Sequence, residues 1–271
     1  QQPTDPPDHL DFDLWLGPAP AQPYQANLLH SVWRWWYAFG AGDIGNDGVH
    51  DMDLARWGLG VETHPSRITA LGGKYFFDDD QQWPDTQYVV FEYPGDGQVG
   101  HKRQLLFEQR TWSPYVQEGL ENGDAFYGTA GMMILGKSGG FQIYGRRNKL
   151  IERVDSGKPD LAAHHDDFLA CLRSGERPHA DIEVNHLTTS LCHLANIATR
   201  VGRVIHFDPR AETILGDDEA ARLVQRQAQD VRALVHDDAR VLPQPPGQHT
   251  VAGVDGVHAA RAPPQQHVRE A

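Results

Sequence analysis

Residues Trp33–Gly60, WRWWYAFGAGDIGNDGVHDMDLARWGLG, decide how the rest of the chain is read. An aromatic run (Trp33, Trp35, Trp36, Tyr37 and Phe39) feeds a small-residue turn, Gly40-Ala41-Gly42. The sequence predicts a helix that starts near Asp43–Asn46 and stops at Gly58 or Gly60, because glycine accepts the left-handed backbone that ends helices. Along it Asn46, His50, Asp53 and Trp57 fall at i, i+4, i+7 and i+11, one stripe of the helix surface. Amide, imidazole, carboxylate and indole together suit the wall of a polar pocket better than a core face. A single histidine beside acids is more often a surface or satisfied structural residue, so the stripe needs support from elsewhere in the chain.

Downstream of this stretch the pattern changes to period two. Ser66–Gly73, Gln87–Tyr93, Gln104–Trp112, Ala125–Gly128, Met132–Leu135 and Phe141–Tyr144 read as strands, and Lys149–Arg153 adds a seventh. Pro94-Gly95-Asp96-Gly97 is a hairpin turn, and short turns between successive strands favour antiparallel pairing. Helices follow. Asp160–Ser174 carries Leu161, Phe168, Leu169 and Leu172 on one face, and Glu183–Val201 carries Leu187, Leu191, Leu194, Ala198 and Val201 as a buried stripe. The polar members His186, His193 and Asn196 read as helix-surface or interface groups. Asp217–Arg226 is a last short helix. Upstream, Asp8–Pro20 alternates Leu10, Phe12, Leu14 and Leu16 and reads as extended, stopped by Gly17-Pro18.

The 271 residues suffice for one large domain or two small ones, and a net charge of −13 argues against a nucleic-acid or anionic-membrane surface. No run approaches the ~18 apolar residues of a membrane span. Cys171 and Cys192 sit in apolar helical patterns and read as buried free thiols. Asp78-Asp79-Asp80 reads as a solvated acid run rather than a cation site. No aromatic residue follows Phe207, and residues 231–271, rich in Pro, Gln, Ala and His, are expected to be a disordered tail after a domain of residues 1–230. The opening QQPTDPP has neither an initiator Met nor a signal peptide and reads as the interior of a longer protein. No stretch reads as strand, G-x-G-x-x-G, helix, so a dinucleotide site is not expected here.

Several of these strings resemble the C-terminal substrate domain of the Gfo/Idh/MocA oxidoreductases, relatives of glucose–fructose oxidoreductase and inositol dehydrogenase. The family's D-x-G-x-H helix is matched by Asn46-Asp47-Gly48-Val49-His50, with Asn46 in the Asp position. WLGPAP at residues 15–20, GGKYFFDDDQQWPDT at residues 72–86, the turn Phe126–Gly131, His164 and Asp167 of an H-x-x-N-F element, and HLANIATRVGR at residues 193–203 extend the resemblance over roughly Asp5–Arg226. It implies an α+β fold: a large, mostly antiparallel sheet with helices on one face and an open face used for homo-oligomerisation. It also implies NAD or NADP bound by a separate Rossmann domain, none by this chain, and a carbinol of a sugar, inositol or related polyol as substrate.

In that setting His50, Asn46 and Asp53 are the expected catalytic residues. Asn46 would hold one ring nitrogen of His50, and Asp53 would raise its proton affinity. Trp33, Trp36, Lys74, Asp85 and Tyr127 are the expected contacts to substrate hydroxyls and ring faces. The aromatic members serve equally well as core material. A lysine of the first domain shares the proton chemistry in relatives and has no counterpart here. Two readings stay open: the substrate half of a dehydrogenase, or a non-catalytic sugar-binding or dimerisation module. The compartment, cytoplasmic or exported, is open too.

Overall fold

The structure is a computed structural model that describes residues 1–136, 139–158 and 160–224. The predicted tail and the end of the last predicted helix lie outside the described residues. In chain order the elements are α1 (Phe12–Leu16), α2 (Gly42–Asn46), α3 (Gly48–Leu59), β1 (Arg67–Gly73), β2 (Thr86–Glu92), β3 (Gln104–Arg110), β4 (Gly123–Tyr127), β5 (Met132–Gly136), β6 (Phe141–Tyr144), β7 (Leu150–Val154), α4 (Leu161–Ser174), α5 (Ile182–Val201), β8 (Ile205–Asp208), β9 (Thr213–Leu215) and α6 (Asp218–Arg222). The class is α+β, and every strand pair among the described residues is antiparallel.

The strands divide between two sheets rather than forming one. The five-stranded sheet runs β3-β2-β1-β8-β9, and the four-stranded sheet runs β4-β5-β6-β7. In the first, alternation sorts the side chains. Ile68 pairs with Phe91, which pairs with Leu105, and all three are buried. Three residues along, Leu71 and Tyr88 pair on the opposite face and are exposed, as is Leu106. Helices α3 and α5 close over the buried face: Met52, Leu191, Leu194, Ala195 and Ala198 join Ile68, Val89, Phe91 and Ile205 in one core. Burying each such aliphatic side chain contributes about 1.5–3 kcal/mol.

Sequence chemistry explains where the helices start and stop. Asp160, Asp181 and Asp217 cap α4, α5 and α6 by accepting from Ala163, Glu183 and Ala220 amides. Gly60, Gly175 and Gly202 end α3, α4 and α5 in the left-handed region. Two expectations need correcting. Asp8–Pro20 contains a helix rather than a strand, because Asp11 accepts the Leu14 amide and turns the chain helical up to Gly17. The helix through Trp33–Gly60 is also broken. Asp47 (φ −109°) separates α2 from α3, and its carbonyl takes the His50 amide in a tighter i+3 bond. Gly42, Gly45 and Gly48 around the break are weak helix formers. Gly48 sits under Phe107, where a Cβ would lie 2.7 Å from the ring. Strands β8 and β9, of four and three residues, are not in the sequence reading.

Candidate functional site

The break at Asp47 matters because it decides what His50 shares a face with. His50 and Asp53 of α3 line a cleft of about 470 Å³ together with Val49, Leu54 and three residues of α5: Asn185, Thr188 and Thr189. The floor of the cleft is a hydrogen-bonded lock between the two helices. Thr188 donates to Asp53 Oδ1 at 2.6 Å, and buried Arg56 donates through Nε to Thr188 Oγ1 at 3.0 Å. Arg56 further holds the carbonyls of Val61 (2.9 Å) and Val184 (3.3 Å), with Asp53 Oδ1 at 3.7 Å from its Nη2. A buried guanidinium is costly unless paired and fully bonded, and this arrangement satisfies it. Asp53 therefore faces Thr188 and Arg56 rather than the imidazole.

His50 itself is exposed, and its ring makes no hydrogen bond among the described residues. Both ring nitrogens are open to a ligand. Asn46 ends α2 and is not hydrogen-bonded to His50 among the described residues. The base of α2 is fixed from α5: Asn196 Nδ2 donates to the Ala41 carbonyl at 2.7 Å, and Cys192 Sγ donates to the Ile44 carbonyl at 3.3 Å. Asn196 is buried where α5 meets α2, an interface rather than a surface position. Of the expected buried thiols, Cys192 is buried and pushed up to about 12 by burial, while Cys171 is half-buried.

The five expected substrate contacts do not line this cleft. Trp33 lies in a 3-10 turn and Trp36 directly after it, beside the loop Gln82-Trp83, where Tyr37 meets Trp83 edge-on at 4.5 Å and Arg200 stacks on Tyr37 at 4.2 Å. Lys74 is paired with Asp79 at 2.8 Å. Tyr127 is exposed on β4 of the second sheet. Asp85 is fully buried, and its carboxylate accepts from the amides of Tyr75 (3.1 Å), Phe76 (2.8 Å) and Phe77 (2.9 Å) and from the Thr86 hydroxyl (2.8 Å). Burial pushes this carboxyl up, but those donors more than offset it and leave it below the usual carboxylate range. Asp85 thus ties the strand-to-strand loop down.

Sequence reasoning missed Asn185, Thr188 and Thr189. Their signal was available: polar residues at i, i+3 and i+4 at the start of an otherwise leucine-striped helix. It also missed that Gly40–Gly45 reads G-A-G-D-I-G, the glycine spacing of a dinucleotide turn. A 3-10 turn (Val32–Trp35), not a strand, precedes it. A Cβ on Gly40 would lie 2.3 Å from the Arg34 carbonyl oxygen, and one on Gly42 2.7 Å from Trp83 Cβ. These glycines let the aromatic run pack on the chain.

The profile described as the oxidoreductase family, C-terminal alpha/beta domain, matches residues 1–97 and 133–233. The chain belongs to this family. It is a Gfo/Idh/MocA C-terminal domain, with α3 and α5 packed on its larger sheet. The chain is similar to several solved structures. A protein from Desulfitobacterium hafniense described as an NADPH-dependent oxidoreductase aligns with TM-score 0.50 and 17 % identity, over 64 % of this chain and 51 % of that one. An oxidoreductase from Agrobacterium radiobacter, in complex with NAD+, L-tartaric acid and magnesium, aligns with TM-score 0.46 and 17 % identity, over 60 % and 48 %. UDP-N-acetylglucosamine 3-dehydrogenase from Acidithiobacillus ferrooxidans aligns with TM-score 0.44 and 19 % identity, over 66 % and 51 %. The Gfo/Idh/MocA domain spans about half the length of these structures. No curated protein matches it. Among the described residues, no helix is long and apolar enough to cross a membrane.

Proposed function

We propose that this domain is the substrate-binding half of an NAD(P)-dependent oxidoreductase acting on a carbinol of a sugar, inositol or related polyol. The observation that carries the proposal is the α3–α5 cleft, in which an exposed imidazole faces an amide and a hydroxyl across a locked helix pair. Asn185 and Thr189 offer both donors and acceptors, the chemistry that recognises vicinal hydroxyls. The Asp53–Thr188–Arg56 lock fixes the spacing of the two walls, so that a bound hydroxyl meets the His50 ring at a set position. A free ring nitrogen of His50 then accepts the hydroxyl proton. The dinucleotide would be held outside the described residues.

The test uses a polypeptide that carries the cofactor-binding half as well. With a panel of hexoses, inositols and linear polyols, at least one should drive NADH or NADPH formation, and Asn185→Ala should raise its KM by about tenfold or more, the loss of one or two hydrogen bonds. No turnover with any polyol, together with retained polyol binding, would leave the non-catalytic module as the reading.

The open face of the five-stranded sheet, with Leu71, Tyr88 and Leu106 exposed, supports a second copy of the domain as partner. Sedimentation at micromolar concentration should give twice the chain mass, and a monomer alone would remove this assignment.

A further inference from the structure

Next to the α3–α5 cleft, and sharing Asn185 and Thr189 with it, lies a second cleft of about 440 Å³ lined by Ile182, Glu183 and His186 as well. At His186 three metal-ligating side chains from three different elements converge. His64 comes from the segment before β1, His186 from the second turn of α5, and Glu212 from the β8–β9 turn. The Nε2 atom of His64 lies 3.0 Å from Glu212 Oε1, and that of His186 lies 3.1 Å from both Glu212 oxygens. All three ligand positions fall within 4.8 Å of one another.

The surroundings hold these groups in place. His64 is buried, with its ring edge-on to Phe207 at 5.6 Å and to His186 at 5.4 Å. Glu212 adopts a left-handed backbone (φ 52°), unusual for a residue with a side chain, fixed by its amide donating to the Asp208 carbonyl at 2.9 Å. Two neutral imidazoles and one carboxylate carry a net charge of −1, which favours a cation between them. Nitrogen and oxygen donors in this combination suit a divalent transition metal rather than the all-oxygen shells of magnesium or calcium.

We infer that His64, His186 and Glu212 form a binding site for a divalent transition-metal ion such as Zn2+, with its remaining coordination position toward the cleft beside His186. Two imidazoles and a carboxylate leave a fourth tetrahedral position open. His186 and Glu212 are exposed enough to rotate onto an ion with bonds of about 2.0–2.2 Å. Nδ1 of His64 has no partner among the described residues, so the outer shell on that ring is incomplete, and micromolar affinity is expected rather than nanomolar. The ion would clasp α5 to the β8–β9 turn and to the segment before β1. The competing reading is that both imidazoles donate to the carboxylate and no metal is needed.

Calorimetry with Zn2+ on the full chain separates the two. One micromolar equivalent is expected, with a rise in Tm that a chelator reverses. His186→Ala and Glu212→Gln should each weaken that equivalent at least tenfold and abolish the Tm rise, while melting like the parent without metal. Co2+ should give the visible absorption of a low-coordinate site in the parent alone. Zn2+ affinity and Tm response that are unchanged in both variants, as scattered binding by the chain's 15 histidines would give, overturn the site, and so does an absence of binding.

Discussion

Helices α4 and α5 are built from the same kind of sequence, yet they end up in opposite environments. Both have an Asp cap, a left-handed glycine stop and a leucine-rich face. Helix α5 buries eight residues, and α4 buries none: Leu161, Phe168, Leu169 and Leu172 are 67 %, 55 %, 43 % and 66 % exposed. The sheets repeat the contrast. The larger one has a packed face of Ile68, Val89, Phe91 and Leu105, whereas every residue of β7 is exposed. An apolar stripe reports that a helix expects a cover. It does not report which surface supplies it.

The largest effect should separate the two helices. Leu191→Ala on α5 is expected to cost about 2–5 kcal/mol, because it removes a fully buried side chain and leaves a cavity. Leu172→Ala on α4 should stay within about 0.5 kcal/mol, as for a surface substitution. Urea denaturation of both variants measures the difference. Equal losses would mean that α4 is covered in solution and that the contrast is not intrinsic to the domain.

Two aspartates sharpen the same comparison through pH. In the loop before β2 of the larger sheet, Asp85 is fully hydrogen-bonded and lowered. In the smaller one Asp124 is raised to about 7, first by burial and then by the Asp51 charge, and its Oδ2 has no partner among the described residues. The signs are opposite. Asp85 stabilises the fold above the ordinary carboxylate range near pH 4, and that contribution disappears as pH falls through its lowered folded value. Asp124 stabilises it only below that range, and stability declines as pH rises from about 4 to about 7. Asp85→Asn should cost about 1–3 kcal/mol at pH 7 and flatten the acid limb of the stability curve. Asp124→Asn should flatten the limb between pH 4 and 7. Unchanged limbs in both variants would contradict these assignments.

Much of this was legible in the sequence. Period-two alternation found seven of the nine strands among the described residues, and the leucine stripes found α4 and α5. The two missed strands, β8 and β9, are too short to carry a period. The pairing of β8 depends on β1, far away in the chain, and β9 in turn pairs with β8. The split into two sheets was not legible either, because alternation gives faces but not which strands become neighbours. For the site, the stripe on Trp33–Gly60 found His50 and Asp53 but assumed an unbroken helix, which placed Asn46 on the wrong element. The opposite wall, Asn185, Thr188 and Thr189, lies more than a hundred residues later and becomes visible only once α5 lies across α3. Asp85 was read as a substrate contact because a lone acid in a turn has the same sequence signature whether it faces a ligand or three backbone amides.

His50 is the most direct test of the α3–α5 cleft as a site. In a polypeptide that includes the cofactor-binding half, His50→Ala should lower kcat about 10²–10⁴-fold, the range for losing a positioned acid–base group, while dinucleotide affinity and the melting curve stay close to those of the parent. Turnover near the parent's value, or loss of the fold, would make His50 a structural residue and contradict the assignment of the cleft.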